Sequence, residues 1–375
     1  MIKQIKIFWG PDKDFESMIV DVKKRQSFSF IIGYLDKHIH KIEGADSPPE
    51  QPLKVENLIV CTDDYGRITE SALLGFCKNI LENTKFEISN IWLCNPPQKV
   101  YDDIRLNYDK SIIEETKNKY KKITVKTLQK IAKNFSNEII GQSHVIANIL
   151  PSIYSLTIYK DKKPAALLFV GGSGLGKTET AKYIGKCLKS EVTRIQFSMQ
   201  QTTKAAEYIF GSDHNNDSLA RDLIRRKSNL ILIDEFDKVP PVFYNAFYQM
   251  LDEGIFVDKN YKVDVSQCII ICTSNFSNEN KAREYLGDAI YSRFTKVIQF
   301  KNLNKEDMIK IARNTLKEVL DGIRSDIRKG IDDKKILDYF LEIIKQQNGY
   351  QNIRKLKNDI KEAVSYSILK AKDIL

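Results

Sequence analysis

The sequence predicts an α/β fold: a P-loop module with a parallel sheet, flanking helices and an all-helical C-terminal part, preceded by a small α/β N-terminal domain. Three observations carry this prediction. The apolar strand at residues 166–170 runs directly into the glycine-rich turn Gly171-Gly-Ser-Gly-Leu-Gly176-Lys177-Thr178 and then into a helical pattern. A second apolar strand, ending at residue 233, delivers Asp234-Glu235. Strand signals stop at about residue 302, and only helical periodicity follows.

In chain order, residues 2–9 alternate polar and apolar side chains, which indicates a strand rather than a signal peptide. Residues 28–35, 54–61 and 86–94 also read as strands. Leu73, Leu74, Phe76, Cys77, Ile80 and Leu81 form a helical stripe over 69–82. The proline-rich stretch 46–52 can be neither helix nor central strand, so it is read as a loop. Residues 1–105 therefore read as an α/β domain suited to binding a partner, and the charged stretch 106–135 as a helical connector. A sheet-bearing unit follows at 136–301. Residues 302–375 read as helices only, at 305–320, 333–346 and 353–371.

Composition narrows the function classes. Of 375 residues, 42% are hydrophobic and 29% charged, which excludes a disordered or fibrous chain. No apolar run approaches the length of a membrane span. The six cysteines never form a CxxC pair, which points to reduced thiols, a cytoplasmic setting and no zinc knuckle. The net charge of +10 is spread along the chain, so a nucleic-acid partner is the less favoured reading. His38 and His40 share a face if that segment is a strand, but no further metal ligand lies at the right spacing. Asp63-Asp64, after the strand at 54–61, reads first as an acidic loop and second as a ligand site.

The glycine-rich turn has the residues that phosphate binding needs. Its glycines allow backbone N–H groups to turn inward at the positive end of the following helix. The predicted nucleotide-binding residues are Gly172, Ser173, Gly174, Leu175, Gly176, Lys177, Thr178 and Glu179. Lys177 would reach the β- and γ-phosphates of ATP, and the Thr178 hydroxyl would ligate Mg²⁺. Asp234, at the carboxyl edge of the sheet, would hold the same ion, and Glu235 would polarise an attacking water.

Further motifs fall in order around these two: Ile139-Ile-Gly-Gln142, Asp234-Glu-Phe-Asp-Lys238-Val, Leu251-Asp-Glu-Gly254, Ile269-Ile-Ile-Cys-Thr-Ser-Asn275, Ser292-Arg293-Phe294 and Asn352-Ile-Arg354-Lys-Leu356. Together they resemble the AAA+ ATPases over residues 138–375, and most nearly the second ATPase module of the Clp-type protein unfoldases. The resemblance implies that Ile139 and Ile140 lie beside the adenine and that Asn275 (sensor 1) orients the attacking water. It also implies that Arg354 (sensor 2) projects from a lid helix. Arg293 stands where the family carries an arginine finger, which acts on the neighbouring subunit's nucleotide and so implies a homo-oligomeric ring, usually a hexamer.

One departure bears on function. Clp unfoldases grip substrate with an aromatic, glycine-flanked pore loop, but residues 211–217 here are short and polar, and Tyr208 and Phe210 read as core residues. Two readings follow: a protein-remodelling ATPase acting on an unidentified protein, or an ATP-controlled assembly platform for a partner effector, for instance in a bacterial defence system.

Overall fold

The computed structural model describes residues 2–39, 51–159, 163–197, 202–214, 216–328, 330–346, 350, 352–372 and 374. The first five strands are β1 (Gln4–Trp9), β2 (Arg25–Ser27), β3 (Leu53–Val60), β4 (Phe86–Cys94) and β5 (Ile113–Lys117). They form one parallel sheet in the order β2-β3-β4-β1-β5.

Two expectations are corrected in this domain. Residues 28–35 do not form a strand, because Phe28–Ile39 is a helix. Its buried Phe28 and Ile31 recur at helical spacing, with Ile32 and Leu35 packed beside them. His38 therefore sits on a helix, and the proposed partner His40 lies outside the described residues, as does most of the loop at 46–52. The stretch 106–135 is not a continuous helical connector. Residues 113–117 are strand β5, paired to β1, and helix resumes only at Val125–Glu138. The helical stripe at 69–82 is interrupted at Gly75, which caps the helix Glu70–Leu74.

The second sheet contains β6 (Ala165–Val170), β7 (Thr193–Gln196), β8 (Leu230–Asp234), β11 (Ile269–Thr273) and β12 (Lys296–Gln299). Between β8 and β11 lies a small hairpin, β9 (Ile255–Val257) and β10 (Lys262–Asp264). The five strands run parallel in the order β12-β6-β11-β8-β7. Burial on both faces explains the unbroken apolar runs in their sequences. Ala166, Leu168 and Val170 pack on one side with Ile231, Ile233, Ile270 and Cys272. Leu167 and Phe169 pack on the other with Leu230, Leu232, Ile269 and Ile271. A parallel sheet presents all its carboxyl ends at one edge, and here that edge gathers residues 171–178, 234–235 and 273–275.

The C-terminal helices Lys305–Asp321, Asp333–Lys345 and Ile353–Ala371 enclose their own core around Leu316, Phe340 and Leu356. Gln142 fixes the segment around Ile139 and Ile140 to the chain entering this helical part. Its side chain is fully buried, donates to the Lys301 carbonyl at 2.7 Å and accepts from the Lys301 N–H at 3.1 Å. In a Gln142→Leu variant both backbone groups lose their partner, at a cost of about 1–3 kcal/mol. Calorimetry should then show Tm lowered by about 2–4 °C for each kcal/mol, and an unchanged Tm would contradict this role.

Candidate functional site

A cleft of about 510 Å³ opens between the carboxyl edge of the second sheet and the helical lid. It is lined by Ile139, Ile140, Ser173, Gly174, Leu175, Gly176, Lys177, Thr178, Glu179, Asp234, Glu235, Asn275 and Arg354. Of the residues singled out in the sequence, Gly172 and Arg293 are not on this lining. Gly172 still takes part, since its carbonyl accepts a hydrogen bond from Lys177 Nζ at 2.7 Å.

The loop is shaped by backbone conformation. Gly174 and Gly176 have φ of 79° and 95°, a region that favours glycine. A Cβ on Gly174 would come within 3.2 Å of Asn352 Oδ1, the residue that caps the lid helix Ile353–Ala371. The lid thus meets the phosphate loop at its turn. Lys177 opens the helix Lys177–Leu188, and its ammonium also donates to the Gly171 carbonyl at 2.7 Å. Asn275 Oδ1 lies 3.5 Å from the same nitrogen. Burial pushes the Lys177 pKa down to about 8, against the pull of Asp237 and Asp234.

Asp234 is buried at the end of β8. The Thr178 hydroxyl donates to it at 3.2 Å, and the Thr273 hydroxyl donates to it as well. Thr273 also accepts the Glu235 N–H at 3.0 Å, fixing Glu235 in a left-handed conformation with φ of 59°. That conformation is strained for a residue with a side chain, and it turns Glu235 out of the strand into the cleft.

The structure adds two residues that sequence reasoning missed. Arg194, on β7, donates to Asp234 Oδ2 at 2.6 and 3.1 Å. Asp237 has a buried Oδ1 without a hydrogen-bond partner, and burial raises its pKa. Arg194 gave no signal, being a lone arginine on a short strand, and Asp237 lay within the motif Asp234-Glu-Phe-Asp-Lys238-Val without anything there to single it out. Arg293 lies apart from the cleft, ion-paired to Asp252 at 2.7 Å and 4.2 Å from the centre of the Tyr248 ring.

These groups fit a nucleoside triphosphate with Mg²⁺. The loop has glycines where backbone N–H groups must approach phosphate, and a cation beside them. Thr178 and Asp234 form an oxygen donor pair of the kind a hard divalent ion takes. Among the described residues there is no group of three or more His, Cys, Asp or Glu side chains placed to hold a metal by themselves.

Over residues 162–322 the chain matches the AAA domain (Cdc48 subfamily). Residues 162–322 are thus an AAA domain, the ATPase part of the chain. It is 28% identical over 294 residues to the chaperone protein ClpB of Mycoplasmoides gallisepticum, covering 71% of this chain and 41% of that relative. It is 27% identical over 239 residues to the ATP-dependent Clp protease ATP-binding subunit ClpL of Staphylococcus aureus, covering 56% of this chain and 34% of the relative. The chain thus spans less than half the length of either. Its fold is shared with a closed-state cryo-EM reconstruction of Hsp104 with ATPγS and FITC casein. That match has a TM-score of 0.57 at 14% identity and covers 99% of this chain and 89% of the other.

The Lys177 pKa yields a test specific to this AAA+ site. Only the ammonium form attracts phosphate, so affinity for ATP should be level below the free-site pKa of about 8. Above it, affinity should fall by up to about tenfold per pH unit, until the higher pKa of the complex is reached. Calorimetric titration at pH 7 and pH 9 checks this, and equal affinities would contradict it.

Proposed function

We propose that the chain is a Mg²⁺-dependent ATP hydrolase that works as an oligomeric protein-remodelling ATPase. The observation that carries this reading is the convergence of Lys177, Asp234, Glu235 and Asn275 at one sheet edge, beneath a lid that brings Arg354 to the same cleft. The backbone of residues 172–176 and the Lys177 ammonium would hold the β- and γ-phosphates, and Ile139 and Ile140 would flank the base. Thr178 and Asp234 would hold Mg²⁺, which when bound neutralises charge on the phosphate oxygens. For that, Asp234 must exchange its Arg194 contact. The Glu235 carboxylate would accept the proton of the attacking water while Asn275 orients it. Arg354 would follow the γ-phosphate and so couple its loss to lid movement.

Arg293 does not line the cleft of its own chain, which supports a role on a neighbour's nucleotide in a ring, by resemblance a hexamer. Six free thiols among the described residues support a cytoplasmic setting. No described helix is long and apolar enough to cross a membrane.

A second reading, an ATP-controlled assembly platform, is favoured by one observation. Ser212, His214 and Asn216 are held by contacts rather than free to grip a chain. Asn260 donates to the Ser212 carbonyl at 3.0 Å, the Arg221 side chain to the carbonyls of His214 and Asn216, and buried His214 faces Glu70 of the N-terminal domain at 3.5 Å. Tyr208 is buried, as expected. Phe210 is not a core residue: it is 39% exposed and rests against Phe243.

Two variants test the chemistry. Glu235→Gln keeps the shape of the site but cannot take a proton, so ATP should bind without turnover, and wild-type hydrolysis would remove Glu235 from its role. Arg293→Ala should lower turnover by roughly 10³–10⁵, as arginine fingers do in GTPases, with nucleotide affinity nearly kept. Mixing the two inactive variants should restore partial activity, at interfaces pairing an intact Glu235 with an intact Arg293. No recovery in assemblies shown to contain both would contradict a site shared between subunits.

A further inference from the structure

The two five-stranded sheets have one topology. Numbered within each five-stranded sheet, the hairpin β9–β10 left aside, the strands lie in the order 5-1-4-3-2 in both, with every neighbouring pair parallel. The likeness extends to single residues. Gly10 follows β1 with φ of 154°, as Gly171 follows β6 with φ of 140°. The Asn95 N–H donates to the Phe8 carbonyl at 2.8 Å, as the Ser274 N–H donates to that of Phe169 at 2.9 Å. Matching those bonds aligns Leu93 with Cys272. The pairs Val60–Leu93 and Ile233–Cys272 then set Cys61 in the place of Asp234 and Thr62 in the place of Glu235.

The nucleotide chemistry is missing from the first copy. Only Gly10 and Pro11 separate β1 from the helix Asp12–Ile19, whereas residues 171–176 separate β6 from its helix. A loop that short cannot surround a phosphate, and the helix opens with Asp12 and Asp14, which repel one. A thiol and a hydroxyl replace the metal-holding acid and the base.

Cations fill the corner instead. Arg225 of the ATPase domain ion-pairs with Asp12 at 2.8 Å and with Asp63 at 2.5 Å, and buried Arg221 pairs with Asp63 too. The receptor is braced from behind. Thr62 donates to Asp12 at 2.5 Å, and buried Asn95 donates to the Gly10 carbonyl at 2.8 Å and to Thr62 at 3.0 Å. Burial pushes the Asp63 carboxyl up, but Arg225 and Arg221 outweigh it and hold it below the usual range. Asp63 of this acidic loop is thus paired within the chain, to Arg221 and Arg225.

We infer that the N-terminal domain is a second, nucleotide-free copy of the ATPase fold whose phosphate corner has become an acidic receptor for Arg221 and Arg225, and that this contact holds residues 216–225 of the ATPase domain in place. The inference does not rest on hydrolysis, since the contact needs no nucleotide.

Hydrogen exchange on the full chain without nucleotide tests the receptor. Arg225→Glu sets like charges against Asp12 and Asp63, so exchange in the helix Leu219–Ile224 should rise by about tenfold or more. Adding Asp12→Lys restores an opposite pair and leaves Asp63 on Arg221, so protection should return. Unchanged exchange in the single variant, or no recovery in the double, overturns the receptor. Photolabelling of the wild-type chain with an azido-ATP tests the rest: label should map only to peptides after residue 136, and label within residues 2–117 overturns the nucleotide-free assignment.

Discussion

The ATPase domain is organised around one buried ammonium. Lys177 sits beneath the carboxyl edge of the sheet, satisfied by two loop carbonyls and near Asn275. A charge so placed is costly to bury and is tolerated only where hydrogen-bond acceptors surround it. The acceptors come from the loop after β6 and from the end of β11, and β8 contributes the nearby charge of Asp234. Bringing those three ends together requires the parallel order β6-β11-β8, and that order requires crossover helices on both faces. The two apolar clusters, the glycine turn and the lid resting on it together keep this cation buried and hydrogen-bonded at the cleft.

The candidate site was legible in the sequence wherever residue type and spacing are dictated together. Phosphate binding demands glycines, a lysine and a hydroxyl within one turn, so residues 171–178 were readable. The fully buried strands β6, β8 and β11 were readable as apolar runs because both of their faces are covered. Legibility failed where one pattern fits two structures or where packing decides. Phe28–Ile39 has apolar residues close enough together to resemble alternation, and only the burial of Phe28 and Ile31 on one side reveals the helix. Strand β5 is an edge strand, so its glutamates face solvent and it lacks an apolar signature. The contacts of Arg194 with Asp234, and of Arg221 and Arg225 with Asp63, join residues far apart in sequence and leave no local trace.

The repeated strand order recasts the N-terminal domain. It was legible as α/β but not as a copy, because every residue that would have marked it has changed: the loop is shorter, and the acid and base are a thiol and a hydroxyl. What persists is what the fold needs, namely the strand order, a glycine after the first strand and the N–H bond from the end of the fourth strand to the first. The electrostatics of the corner are inverted. In the ATPase domain it carries the Lys177 ammonium, and in the N-terminal domain it offers carboxylates to two guanidinium groups. Trp9 packs against the cores of both domains, so the charged contact lies beside an apolar one.

The central claim is that the cleft at residues 171–178 binds nucleotide through the Lys177 ammonium, and a calorimetric titration of Lys177→Ala with Mg²⁺ and ATP tests it most directly. The account predicts loss of measurable binding while the thermal transition of the variant stays near that of the wild-type chain. Wild-type affinity in a folded Lys177→Ala chain would contradict it.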